Sequence, residues 1–164
     1  PAGPNRIWGL FLMGLAYRMV KEKYAAAAFD GEGAFRNGGR WNSPRGRMVY
    51  TSASRSLAAL EILVHLMPPV SLRFVVIPIE FDDAMVETVD LAGLPTDWKS
   101  EPPGPASMAI GDEWMRSART AILAVPSTIV PQERNYLLNP AHADFGKIKF
   151  GKPEPFSFDP RLLH

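Results

Sequence analysis

One carboxylate, Glu61, stands inside an otherwise apolar helix pattern that begins near Ser54 and ends at Leu66. Leu57, Leu60, Glu61 and Val64 fall at i, i+3, i+4 and i+7, so the pattern puts Glu61 on the face that carries the leucines. Burying an unpaired carboxylate costs several kcal/mol, on the order of the stability of a small domain. Glu61 therefore needs a partner or a task. Partners are at hand upstream: Arg36, Arg40, Arg45 and Arg47 follow one another with no acid among them. Between them and the helix lies a short strand pattern, Met48-Val49-Tyr50-Thr51. A guanidinium fork suits a phosphate or a carboxylate, a tyrosine face suits a flat cation, and a carboxylate suits a centre that becomes positive in a transition state. A structural ion pair and a reactive site are both consistent with these residue types.

Several elements must position these groups. Gly38-Gly39 permits a tight turn before Arg40 and is no dinucleotide fingerprint, because no GxGxxG opens a helix. Ser43-Pro44-Arg45-Gly46 reads as a turn that pairs Gly39–Asn42 with Met48–Thr51 in a hairpin, placing Arg40 and Tyr50 on neighbouring strands. Trp41 is expected in the core. Upstream, Leu15–Val20 reads as a first strand carrying Arg18, Lys23–Phe29 as one or two helical turns, and Asp30–Gly33 as a loop. Downstream, Pro68-Pro69 ends the helix, Leu72–Phe81 is a strong strand, and Met85–Val89 extends the sheet. The proline-rich stretch Ala92–Pro105 is a connector, Ala106–Ser117 a helix with Trp114 buried, and Thr120–Val125 a buried strand. Ser127 lies just past that strand, Asn135–Asn139 follows, and Lys147–Phe158 forms a last strand or two broken at Pro153 and Pro155.

The chain has 164 residues, enough for one domain with a sizeable core, and 46% hydrophobic against 21% charged residues is ordinary for a globular protein. A net charge of +1 gives no global pull toward nucleic acid or an anionic membrane. The absence of cysteine excludes disulfides, thiol catalysis and Cys-ligated zinc, and is compatible with a cytoplasmic location. No apolar run is long enough for a transmembrane helix. Glu61 and His65 are the only pair with some likeness to metal ligands, and one such pair is too weak a signal to expect a metal. Residues 1–14 read as an extension, appended or docking, outside the folded domain expected at 15–163.

The motifs Gly38-Gly39-Arg40-Trp41-Asn42-Ser43-Pro44, Val49-Tyr50-Thr51-Ser52 and Leu60-Glu61-Ile62-Leu63-Val64-His65-Leu66, followed by Val125-Pro126-Ser127 and Asn135-Tyr136-Leu137-Leu138-Asn139-Pro140, resemble the RES domain family. Its members are toxins of RES–Xre toxin–antitoxin pairs. The resemblance implies a single α+β domain of ADP-ribosyltransferase-like type, with a mixed, mostly antiparallel sheet and a few helices. It implies NAD+ as substrate and an Xre-type antitoxin as partner. The family's Arg, Tyr and Glu fall on Arg40, Tyr50 and Glu61, and the NAD+ contacts on Arg18, Arg40, Tyr50, Ser127 and Asn135. A mobile loop is implied near Asp30–Gly33. Cleavage of the nicotinamide–ribose bond builds positive charge on the ribose, as in glycoside cleavage, and Glu61 suits that charge. Hydrolysis or phosphorolysis of NAD+ and mono-ADP-ribosylation of a protein remain alternatives. Ala59, two residues before Glu61, is not acidic, which argues weakly against arginine-directed transfer. A non-catalytic nucleic-acid-binding module built on Arg36–Arg47, or a module that only binds the antitoxin, is the alternative of another class.

Overall fold

The computed structural model describes residues 6–8, 11–66 and 73–163. The expected helix end at Pro68-Pro69 lies outside them. Among the described residues nine strands form one sheet: β1 (Arg6–Trp8), β2 (Phe11–Lys21), β3 (Val49–Ser52), β4 (Phe74–Asp82), β5 (Val86–Thr88), β6 (Ile122–Pro126), β7 (Arg134–Leu138), β8 (Lys149–Phe150) and β9 (Glu154–Phe156). Their order is β5-β6-β7-β3-β2-β4-β8, with β1 on β2 and β9 on β4. The β5–β6 pair is parallel and the other pairs are antiparallel. The helices are α1 (Glu32–Asn37), α2 (Arg55–Leu63) and α3 (Pro105–Ser117). This is the mixed, mostly antiparallel α+β domain that the sequence leads one to expect.

The strand expected at Leu15–Val20 is longer, and it pairs with β4 from Met13↔Asp82 to Lys21↔Phe74. β4 reads Phe-Val-Val-Ile-Pro-Ile-Glu-Phe-Asp and buries nearly every residue as far as Phe81, as an interior strand does. Pro78 sits inside it without breaking it. The carbonyl of Pro78 accepts from Gly151 N at 2.8 Å, so the missing N–H faces the same edge. That edge is covered by β8 at Ile79 and Glu80 and by β9 at Phe74–Val76, and Pro78 falls in the gap between them.

The feature that makes a site is the junction of β2 with β3. β2 keeps full register with β4 but forms a ladder pair with β3 only at Tyr17↔Ser52. The sheet therefore divides into two wings at this line. One wing packs Trp41, Met48, Trp114, Leu123, Val125 and Leu137 into a core under α3. The other packs Met19, Ala58, Phe74, Val76 and Phe158 under α2.

Two local expectations are corrected. The Gly39–Asn42 segment does not pair with the following strand; it closes on itself in a single bridge, Gly39↔Asn42. β3 instead pairs with β7 over four residues. Gly38 at φ +69° turns the chain tightly, and buried Asn42 fixes the turn by donating to the carbonyls of Ala34, Ser43 and Gly46. Glu32 and Gly33, read as loop, begin α1, with Gly31 at φ +70° ahead of it.

Candidate active site

α2 starts at Ser54, whose side chain accepts from Leu57 N at 3.0 Å and caps the helix. The helix does not bury the face that holds Glu61. Leu57 and Ala58 are buried, and Ala59, Ile62, Leu63 and Leu66 pack beside them. Leu60 and Val64 stand 37% and 57% exposed. Glu61 is thus half-buried at the border between core and solvent, on the wall of a cleft.

That cleft opens where the two wings part. It has a volume of about 480 Å³ and is lined by residues of β2, the Gly38–Arg40 turn, β3, α2 and the segment after β6, within the usual range for ligand sites. Arg18, Arg40, Tyr50, Glu61 and Asn135 all line it. Five of the six site residues singled out in the sequence are therefore brought together by elements far apart in the chain.

Glu61 has no cation within ion-pair distance among the described residues. One of its oxygens, Oε1, accepts from Ser127 Oγ at 2.8 Å and from Asn135 Nδ2 at 2.6 Å. Asn135 Oδ1 in turn accepts from Ser52 Oγ at 2.8 Å. Two neutral donors on one oxygen hold the charged carboxylate in a fixed orientation without neutralising it. The structure puts Ser127 behind Glu61 and not in the cleft: it is fully buried, and its oxygen also accepts from Ile129 N and Val130 N at 3.1 Å each. Its one donor and both acceptor positions are then used. Ser127 is thereby placed to orient the Glu61 carboxylate.

Arg18 is a half-buried cation with no acid in ion-pair distance among the described residues. Its Nε donates to Ala28 O at 2.5 Å and its NH1 to Tyr50 O at 2.6 Å. The second bond satisfies a β3 carbonyl at the splayed junction. Desolvation lowers its pKa to about 10, against a small opposing effect of Asp30, so it stays charged at neutral pH. A guanidinium with two carbonyl partners on a cleft wall has the charge and geometry that suit an anion.

Arg40 is held differently. NH1 donates to the carbonyls of Trp98 and Ser100 at 2.8 Å each, and NH2 meets Glu101 Oε2 at 3.0 Å. The connector expected at Ala92–Pro105 therefore straps over this end of the cleft, and Glu101 and Pro103 line it.

Tyr50 donates its hydroxyl to Asn42 Oδ1 at 2.7 Å and accepts from Trp41 N at 3.1 Å. Burial pushes its pKa well up, and the Trp41 N–H opposes this only in part. The phenol is neutral in any ordinary assay, so its ring and not its proton is what it offers. Gly39 is required beside it, since a Cβ there would lie 2.5 Å from the Tyr50 oxygen. α3 steadies the turn: Asp112 accepts from Ser43 N at 2.9 Å and from Ser43 Oγ at 2.6 Å. Trp41 is 2% exposed, in the core as expected.

The RES domain profile matches residues 15–159 of the chain. The protein belongs to the RES domain family. It is 41% identical over 150 residues to "Toxin Res" of Yersinia enterocolitica, covering 90% of this chain and 99% of that one. It is 42% identical over 144 residues to the "Prs ADP-ribosylating toxin" of a Sphingobium species, covering 85% and 89%. "Toxin Res" of Photorhabdus laumondii is 38% identical over 151 residues, covering 91% and 97%.

Three cleft residues of this RES domain escaped the reading of its sequence. Tyr17 backs the site from β2, with the Arg55 guanidinium 4.8 Å over its ring and Glu154 2.6 Å from Arg55. Ser52 is the hidden third member of the Glu61–Asn135 chain. Glu101 lay in a stretch that reads only as proline-rich. His65 lies on the cleft rim. His142, which had no role from sequence, is committed to loop structure through Ala118 O and Asp144 N, both at 3.0 Å. Among the described residues, no group of three or more His, Asp and Glu could hold a metal ion.

Proposed function

We propose that this RES domain protein is a bacterial toxin that binds NAD+ in the cleft and breaks its nicotinamide–ribose bond. The observation that carries this reading is Glu61. Its carboxylate is aimed into the cleft by two neutral donors on one oxygen, with no cation to quench it among the described residues. Such a group stabilises a developing ribosyl cation more than it stabilises the uncleaved sugar. Arg18 supports the anionic half of the ligand, and the Tyr50 face supports the cationic nicotinamide ring.

The step balances simply. The C1′–N bond breaks with its electron pair going to nicotinamide, which leaves neutral. The ribosyl cation beside Glu61 is captured by an acceptor oxygen or nitrogen, which gives up its proton. Water yields ADP-ribose and phosphate yields its 1″-phosphate; either drains the NAD+ pool. A second reading, transfer to a protein side chain, is favoured by the relative named as an ADP-ribosylating toxin. Incubation with labelled NAD+, alone and with cell lysate, separates them. Free ADP-ribose or its phosphate marks depletion, label on a protein band marks transfer, and intact NAD+ in both arms sinks the proposal.

The nucleic-acid reading is weakened by the arginines themselves. Arg36 and Arg47 both pair with Glu32, and Arg40 pairs with Glu101. A toxin needs an antitoxin, and we take an Xre-type protein as the partner and the cytoplasm as the location. Among the described residues no helix is long and apolar enough to cross a membrane.

A further inference from the structure

Arg40 already holds an anion, and it is one supplied by the chain. Both bonds from NH1 go to backbone carbonyls of the strap, Trp98 O and Ser100 O. These bonds tie the strap to Arg40 without using the Glu101 carboxylate. The bond from NH2 to Glu101 is of another kind. The Glu101 side chain is 71% exposed, whereas that of Arg40 is 14% exposed. An ion pair with so exposed a carboxylate adds little to stability. Glu101 nevertheless lines the same cleft as Gly38, Gly39, Arg40 and Arg18. The two cleft arginines therefore differ: Arg18 has carbonyl partners and no ion pair among the described residues, while Arg40 has its charge offset.

We propose that Glu101 sets the affinity of the cleft by competing with the phosphate of the ligand for Arg40. This rests on the dinucleotide reading above and extends it to a residue outside the reacting centre. A phosphate that reaches Arg40 exchanges one ion pair for another, so the net gain is smaller than for a free guanidinium. This exchange weakens binding of an anionic ligand and favours release of an anionic product. The contribution of the strap backbone is independent of the carboxylate, because its carbonyls remain on NH1.

The test uses ADP-ribose, which carries the pyrophosphate and has no nicotinamide to lose. Its Kd is measured by titration calorimetry for the wild type, Glu101→Gln, Arg40→Ala and the double variant, at low and high salt. Glu101→Gln keeps the size of the side chain and an acceptor for NH2 but removes the charge. Its Kd is expected to fall about fivefold at low salt, roughly the scale of one exposed ion pair. The difference should shrink at ~1 M salt, where the screening length is about 3 Å, and vanish in the Arg40→Ala background. If Glu101 were only part of the wall holding the strap, Glu101→Gln would bind ADP-ribose equally or more weakly. Either result overturns the proposal, as does a fivefold gain that persists without Arg40. If the wild type binds no ADP-ribose and cleaves no NAD+, the dinucleotide reading falls as well. If it binds and cleaves while Glu101→Gln changes nothing, only this inference falls.

Discussion

Glu61 was marked out by its misfit in an apolar helix, and the structure changes the reason that mark matters. It is half-buried, not a charge sunk in the core, and its support consists of Ser127 and Asn135. Glu61→Gln keeps the shape and an acceptor for both donors while removing the charge. Stability should therefore stay within about 0.5 kcal/mol, as for substitutions that break no buried network. On the proposed reading turnover of NAD+ should fall at least about a hundredfold, roughly 3 kcal/mol, with the Kd for ADP-ribose little changed. Melting temperature and nicotinamide release on one preparation check both halves, and a variant with near-normal release would refute the assignment. Tyr50 separates the same two roles in the opposite direction. Tyr50→Phe keeps the ring but strips the Trp41 N–H and Asn42 Oδ1 of their partner. Leaving such groups unpaired costs about 1–3 kcal/mol. Denaturant unfolding should register that loss, while KM for NAD+ should change less than about threefold if the ring alone serves the ligand.

At the scale of elements, α2 shows what periodicity can and cannot reveal. That Ser54 begins a helix was readable from the residues, because a serine before an apolar run is a capping signal. Which face is buried was not readable. From Leu57 to Val64 nearly every residue is apolar, so several faces match an i, i+3, i+4 template equally well, and tertiary packing chose the one with Leu57, Ala58 and Ile62. Leu57→Ala should cost about 2–5 kcal/mol, whereas Leu60→Ala and Val64→Ala should each cost under about 0.5 kcal/mol. Chemical denaturation of the three variants measures this, and equal losses would restore the face first read. The missing hairpin has a related cause. Two extended segments joined by a turn do pair by default, but Asn42 spends its amide on Ala34, Ser43 and Gly46 and closes its turn locally. β3 was left to β7, a partner 83 or more residues away by the Ser52–Asn135 contact, and no local pattern announces such a pairing.

For the molecule as a whole, the α+β class and most strands were legible because the apolar runs are long and bounded by glycine and proline. The assembly of the cleft was not, since it depends on β2 and β3 being in ladder register at Tyr17 and Ser52 alone. A sheet that parts there leaves the Tyr50 carbonyl to Arg18 and opens a gap whose described lining includes Arg18 on two carbonyls, Arg40 offset by Glu101, and the Glu61 carboxylate. A net charge of +1 cannot foretell so local a distribution. This distribution also bears on how the toxin proposed here is silenced. An antitoxin that places an acidic side chain or a chain terminus against Arg18 occupies the anion receptor and excludes NAD+. Competition of this kind is reciprocal, because a shared site couples the two affinities equally in both directions. ADP-ribose should therefore weaken antitoxin binding, and antitoxin should weaken ADP-ribose binding, by the same factor. Arg18→Lys keeps a cation but cannot donate to Ala28 O and Tyr50 O while presenting a planar fork, so it should weaken both ligands together, by about tenfold, on the order of one charge-assisted bond. Titrating each ligand in the presence and absence of the other, for wild type and Arg18→Lys, checks the scheme. A ternary complex in which antitoxin and ADP-ribose bind with unchanged affinities would show that the antitoxin acts from outside the cleft.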